Sequence, residues 1–250
     1  MESRVGVCFP GWLGSSVPDG GRTLRQQLIA PLKADVLLAL TYHKLDKCSN
    51  AASCRLAERF PHLQPFTAVV LSPMLTVADC VQKMEALHHW PRILEAYSSP
   101  NSTIACRRDL DWSPEANESA SPYRCHGLKK GNTLFAPVLG SRHLNVLREL
   151  HDRSRCLDLI ALQEARSGVR YTRIVHTRLD LVWLRPHPPL SLLQPDAAVW
   201  LANGMDWKGY NDRHAVMSRY VRYIYLSIYI LYVLSIYLYT YEPAQFVSGD

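Results

Sequence analysis

Short apolar runs alternate with helical patterns along most of the chain. The apolar runs are four to nine residues long and rich in Val, Leu and Ala. Runs of this kind are typical of strands buried on both faces of a parallel sheet. We therefore predict strands at residues 4–12, 34–41, 66–71, 171–177, 181–184 and 197–202. The Pro10-Gly11 pair is expected to stop the first of them.

Apolar residues recur at helical spacing in three segments between these strands, residues 24–32, 76–97 and 141–167. Pro91 should break or kink the second helix, and Gly168 stands where a C-terminal cap would end the third. Strands that alternate with helices predict a layered α/β domain with a predominantly parallel sheet flanked by helices. We assign this domain to residues 1–219.

Residues 98–131 interrupt the alternation. The segment is polar, contains clusters of Pro, Asn and Ser, and includes glycosylation acceptor patterns at Asn101 and Asn117. We interpret it as a long surface insertion or a partly disordered loop.

The composition changes abruptly after Arg219, where a Tyr/Ile-rich hydrophobic tail, residues 220–250, replaces the Arg- and Pro-rich body. Two interpretations stay open. The low-complexity run at residues 220–241 is what translation of TA-rich intron or repeat sequence would give. It is also long enough for a transmembrane helix, although tyrosine prefers the membrane interface to the centre. As a hydrophobic helix, it should not pack into the core of the α/β domain.

Composition and charge limit the function classes. The 250 residues are 48% hydrophobic and 20% charged, so the chain can bury a sizeable core. A net charge of +6 is compatible with an anionic small ligand or with none. The basic residues are scattered rather than arranged in a stripe with interleaved aromatics, so we expect no nucleic-acid partner.

The seven cysteines are odd in number and include no CxxC pair, so we expect no zinc site. Cys48 with Cys54, and Cys106 with Cys125, could close loops if the domain is secreted. Together with the two glycosylation patterns, they favour a secretory compartment. The chain opens without a signal-peptide pattern, which leaves open whether its native N-terminus lies upstream.

The most informative stretch for chemistry is residues 163–183. Arg178 and Asp180 follow a predicted strand, at the sheet edge where open α/β folds bind ligands. A carboxylate there can hold a divalent cation that bridges two phosphates, and an arginine can neutralise a phosphate. The alternative interpretation is a structural Arg–Asp pair that closes the strand end.

A second polar stretch, residues 204–219, contains Asn211, Asp212 and Arg213 among glycines. Such a loop can close on a sugar or a phosphate, because glycine lets the backbone approach closely. Alternatively, Asn211 or Asp212 caps a helix that begins near Arg213.

In this order and separation, the motifs resemble an uncharacterised group of plant and algal glycosyltransferase-like proteins. The matching features are the initial RVGVC strand, Glu164 near a helix end, YTRIVHTRLD at residues 171–180 and GYNDR at residues 209–213. The similarity covers roughly residues 4–219 and is diffuse in the middle. Thr172 and His176 depart from the aspartate and arginine usual in the group, which should remove two charges from the site.

The resemblance implies an α/β fold of the GT-A or Rossmann-like kind that binds a nucleotide-sugar donor through a metal–diphosphate site. Asp180 and Asp212 would hold Mn or Mg, while Arg178, Asn211 and Arg213 would bind the donor. The acceptor is unknown. Because the tail begins directly after Arg219, we expect the fold to lack the acceptor-binding region. The competing hypothesis is a catalytically inactive fragment, or a protein tethered to a membrane through residues 220–241.

Overall fold

The computed structural model describes residues 4–14, 17–42, 54–86, 91, 105–108, 111, 123–126, 145–194, 199–202 and 213–219. The tail lies outside these residues, so its predicted helix stays a prediction. The chain forms two compact units, one from Met1–Met74 with Glu149–Leu226 and the other from Leu75–Arg148 with Ser227–Asp250. Among the described helices, none is long and apolar enough to cross a membrane.

The strands of the first unit are β1 Val5–Trp12, β2 Asp35–Tyr42, β3 Ala68–Pro73, β6 Arg173–Thr177, β7 Val199–Leu201 and β8 His214–Ser218; β4 Ala105–Arg108 and β5 Tyr123–His126 belong to the second unit. The first six form one sheet in the order β3-β2-β1-β6-β8-β7. Three pairings are parallel (β1 with β2, β1 with β6, and β2 with β3), whereas β8 is antiparallel to both β6 and β7. The predicted α/β class with a mostly parallel sheet is therefore confirmed.

Strand β1 continues through Pro10 and Gly11 to Trp12, so the predicted stop is wrong. Its pairing with β6 ends at Cys8, and among the described strands only β2 pairs with its last four residues. Pro10 therefore lies in a part of β1 that no longer pairs with β6, and a strand tolerates the missing N–H of proline at such a position.

Alternating side chains of the sheet enter two separate cores. Val7 and Phe9 pack in one core with residues of the first helix, such as Leu24 and Leu28. Cys8 enters the other core, together with residues of the long helix such as Ile160. The first helix comprises Arg22–Leu24, a π-helical turn Arg25–Ile29, and Ala30–Leu32. The long helix is Asn145–Ser167.

The long helix ends as its sequence predicts. Gly168 has a positive φ of 68°, and its N–H donates to the carbonyl of Glu164 at 3.0 Å. This left-handed conformation costs glycine little, so Gly168 satisfies a terminal carbonyl and turns the chain towards β6.

A buried disulfide between Cys8 and Cys156 joins the central strand to the long helix. The sequence analysis did not find this pair, whose members are 148 positions apart. Cys54 is also disulfide-bonded, but Cys48 lies outside the described residues, so their predicted pairing stays a prediction.

In the second unit, residues 105–108 and 123–126 form two antiparallel strands, β4 and β5. These strands lie within residues 98–131, whose assignment as a long surface insertion or a partly disordered loop stays a prediction. Cys106 lies directly opposite Cys125 in this pair, a backbone register compatible with a disulfide.

The helix Val77–Glu85 begins with a capping box, in which Thr76 and Asp79 each accept from the other's backbone N–H.

Two further expectations of secondary structure are wrong. Residues 181–184 form no strand. No helix begins near Arg213, because residues 214–218 form β8. All five residues of β8 are buried between β6 and β7, so tertiary pairing overrides the local helix signal.

The Cys8–Cys156 bond should contribute strongly to stability, because it closes a very long loop. We expect the double variant Cys8→Ala/Cys156→Ala to lose about 2–5 kcal/mol of unfolding free energy, measured by urea denaturation. Each single variant should lose most of the same amount, since the bond needs both sulfurs. Small, additive losses in the single variants would contradict the assignment.

Candidate functional site

The carboxyl end of the sheet contains a point where the strand order reverses. From β1, the order runs through β2 to β3 on one side and begins with β6 on the other. In open α/β sheets, ligands bind in the crevice outside the carboxyl ends of the strands at such a switch point. The ends of β1 and β6, at Trp12 and Thr177, therefore define the candidate site.

Arg178 and Asp180 lie directly after β6 at this edge. The guanidinium of Arg178 donates from Nε to Asp180 Oδ1 at 3.0 Å and from Nη2 to Oδ2 at 2.7 Å. Both side chains are about two-fifths exposed, 42% for Arg178 and 41% for Asp180. The structure therefore places the two predicted residues together, in a two-pronged ion pair that solvent reaches.

Arg213 reaches the same edge because β8 is antiparallel to β6 and begins where β6 ends. The backbone carbonyl of Arg213 accepts from the backbone N–H of Arg178 at 3.2 Å and from Thr177 Oγ1 at 3.4 Å. Asn211 and Asp212 lie outside the described residues, so their predicted proximity to Asp180 stays a prediction.

An aromatic cluster that the sequence analysis missed covers one face of the sheet next to this edge. It consists of Trp183, His187 and His214, with ring centroids 5.0 to 5.7 Å apart. The backbone N–H of His187 donates to the carbonyl of Gln27 at 2.6 Å and holds this residue in place. The cluster therefore ties the segment that follows Asp180 to the first helix and to β8.

Both histidines of the cluster favour the neutral form. Burial and, to a lesser extent, neighbouring His187 together lower the pKa of His214 to about 3. Burial also lowers the pKa of His187, although a contact with the carbonyl of Pro188 opposes the shift. Because a charge here would be desolvated, the cluster is suited to packing rather than to proton transfer near neutral pH.

A polar cluster lies on the opposite face of the same edge. Thr41, at the end of β2, donates to Asp152 of the long helix, and Arg155 lies 3.5 Å from the same carboxylate. Arg155 also donates to Thr41 Oγ1 and to the carbonyls of Leu40 and Val70, at 3.1 to 3.2 Å. Burial lowers the pKa of Arg155 and Asp152 opposes this shift, so we interpret the cluster as a structural clamp on the strand ends.

Thr172 and His176 are the two positions at which the sequence departs from the resembling group. Thr172 precedes β6, about 20 Å of extended chain before Arg178, and its hydroxyl donates to the carbonyl of Arg4. His176 is buried beside the Cys8–Cys156 bond. The expected removal of two charges from the site stays a prediction.

The amino end of the sheet has its own polar network, which includes Glu164. The carboxylate of Glu164 accepts from Arg219 and from the Tyr171 N–H, at 2.9 to 3.2 Å. Asp35 accepts from Arg4 at 2.5 Å and from the Tyr171 hydroxyl at 2.9 Å. Burial and the Asp35 hydrogen bond raise the pKa of Tyr171. These contacts fix the ends of β1, β2 and β6, and we assign them a structural role.

Within the described residues, no group of three or more His, Cys, Asp or Glu side chains could hold a metal ion. Asp180 could still serve as a single ligand, since Mg²⁺ is often bound through one or two carboxylates plus substrate phosphates.

The chain matches no protein-family model, no curated protein and no solved structure.

The depressed pKa of His214 predicts a loss of stability in acid. The unfolded chain binds this proton at an ordinary pKa near 6.5, whereas the folded chain binds it only near pH 3. Stability should therefore be complete above about pH 6.5 and fall as the pH drops towards 3, by about 2 kcal/mol at pH 5. Urea titrations of the wild type at a series of pH values measure this loss.

His214→Phe keeps a ring in place and removes the titration, so most of the loss between pH 6.5 and pH 5 should disappear. His62→Phe, at an exposed histidine, is the matched control and should leave the loss unchanged. An identical pH dependence of stability in the wild type and in His214→Phe would show that the loss in acid does not come from His214.

Proposed function

We propose that the chain is a glycosyltransferase-like protein that binds a nucleotide-sugar donor at the carboxyl edge of its sheet. One observation carries the proposal: an exposed arginine and an exposed carboxylate follow β6 at the switch point between β1 and β6. This is where an open α/β sheet offers a crevice, and these two groups have the chemistry that a metal–diphosphate requires.

In this proposal, Asp180 binds Mn or Mg, and Arg178 turns from Asp180 to the diphosphate. The change of partner costs little, since an exposed ion pair contributes only about 0–1 kcal/mol. The metal would neutralise the charge that develops on the leaving diphosphate. Asp212 would supply a second metal ligand, and Asn211 and Arg213 would contact the donor.

The compartment proposed for this activity is the secretory pathway. The Cys8–Cys156 bond and the bonded Cys54 support it, because disulfides form and persist in oxidising compartments.

The competing function is an inactive protein in which Arg178 and Asp180 only close a strand end. The two-pronged contact between them favours this alternative, because it occupies both oxygens of the carboxylate. The two functions differ in one consequence: only the first requires the Asp180 charge for ligand binding.

Thermal denaturation of the full chain separates them. We expect UDP or GDP to raise the Tm of the wild type only when Mn²⁺ or Mg²⁺ is present. A ligand that binds only the native state at a hundredfold excess over its Kd stabilises that state by about 2.7 kcal/mol. Asp180→Asn preserves shape and removes the charge, so it should abolish the metal-dependent shift while the protein stays folded.

Asp158→Asn removes an exposed carboxylate on the long helix and is the matched control. It should retain the full metal-dependent shift. An unfolded Asp180→Asn variant would favour the structural pair, and the absence of any nucleotide shift in the wild type would end the donor-binding proposal.

A further inference from the structure

A large exposed aromatic side chain lies at the carboxyl end of the central strand. Trp12 is the last residue of β1 and is 45% exposed, whereas Leu13 beside it is buried in the core. Burying an indole is favourable, so the chain leaves unused apolar surface beside the switch point.

The backbone on both sides of Trp12 is fixed. Trp12 is paired with Thr41 of β2, and the Leu13 N–H donates to the Thr41 carbonyl at 2.8 Å. Thr41 is in turn held by Asp152 and Arg155 of the long helix. The indole therefore extends from a rigid strand end rather than from a free loop.

Gly14 supports the indole ring from one side. A Cβ atom at Gly14 would lie 2.6 to 2.9 Å from three ring atoms of Trp12, closer than real Cβ contacts allow. The ring therefore lies directly on the Gly14 backbone, and a larger residue would displace it. A ring that is supported in this way, and is still nearly half exposed, has the form of a stacking platform.

The platform and the charged pair belong to the two strands that define the switch point. Cys8 of β1 is paired with His176 of β6, and both Trp12 and Asp180 lie four residues further along. The carboxyl edge thus has an aromatic ring at the end of one strand and Arg178 with Asp180 after the other. A planar base joined to a diphosphate has the same two chemical parts.

We infer that Trp12 stacks on the nucleobase of a nucleoside diphosphate whose phosphates lie at Arg178 and Asp180. This inference rests on the proposed function and adds the base-binding residue to it. Stacking on an aromatic face accepts any base, because every base has a π-face. Trp12 should therefore contribute affinity for nucleoside diphosphates in general rather than choose between uracil and guanine.

Isothermal titration calorimetry of the full chain with three probes tests the inference: UDP, GDP and inorganic pyrophosphate, each with Mn²⁺. Trp12→Ala should weaken binding of UDP and GDP by roughly 5- to 150-fold, the range that loss of one base–aromatic stack produces. Pyrophosphate has no base, so its affinity should stay within about twofold of the wild type. Trp12→Phe should retain most of the nucleotide affinity, and Gly14→Ala should weaken nucleotide binding by displacing the ring.

The outcomes separate the inference from the proposed function. If Trp12→Ala binds UDP, GDP and pyrophosphate as the wild type does, the stacking role is wrong and the diphosphate site stands. If it weakens all three probes equally, Trp12 only shapes the edge and the inference is again wrong. If the wild type binds none of the three, the proposed function fails and the inference fails with it.

Discussion

The parallel pairing of β1 with strands on both sides is the constraint on which the rest of the structure depends. Because β1 is buried and paired with β2 and β6, its side chains must enter both cores, and helices must cover both faces. The same pairing makes β1 the strand at which the order reverses. The position of the candidate site at the carboxyl edge is thus a consequence of how the core is built.

The two ends of the sheet differ in how they use polar groups. At the amino end, Glu164 and Asp35 accept several hydrogen bonds and fix neighbouring strands. At the carboxyl end, the clamp of Thr41, Asp152 and Arg155 is likewise mostly buried, but Arg178 and Asp180 are exposed. An exposed pair contributes little to stability, so stability alone does not account for it. The exposure of this one pair is what the ligand role proposed for Arg178 and Asp180 requires.

Local patterns in the sequence were sufficient for the strands that are continuous apolar runs, such as β2, and for the long helix with its Gly168 cap. They failed at β8, where polar residues before a mixed segment indicate a capped helix and only pairing with β6 and β7 decides the outcome. The Cys8–Cys156 bond joins residues 148 positions apart. No local spacing could have indicated it.

The candidate site, like the fold, was predictable only where it depends on local sequence. Arg178 and Asp180 form a compact motif after a recognisable strand, so their position at the carboxyl edge could be predicted. The cluster of Trp183, His187 and His214 joins a loop to β8, and the clamp of Thr41, Asp152 and Arg155 joins a strand to a helix. These contacts join residues that are distant in the sequence and meet only in the folded chain, so no local pattern indicates them. Trp12 was visible as a residue, but its exposure and its support by Gly14 were not.

Hydrogen–deuterium exchange of the full chain, with and without UDP and Mn²⁺, tests most directly whether the carboxyl edge is the ligand site. The account predicts that added ligand protects peptides covering residues 12–14 and 178–184 and leaves residues 167–172, at the amino edge, unchanged. Protection at residues 167–172 without protection at residues 178–184, or no protection anywhere at saturating ligand, would contradict it.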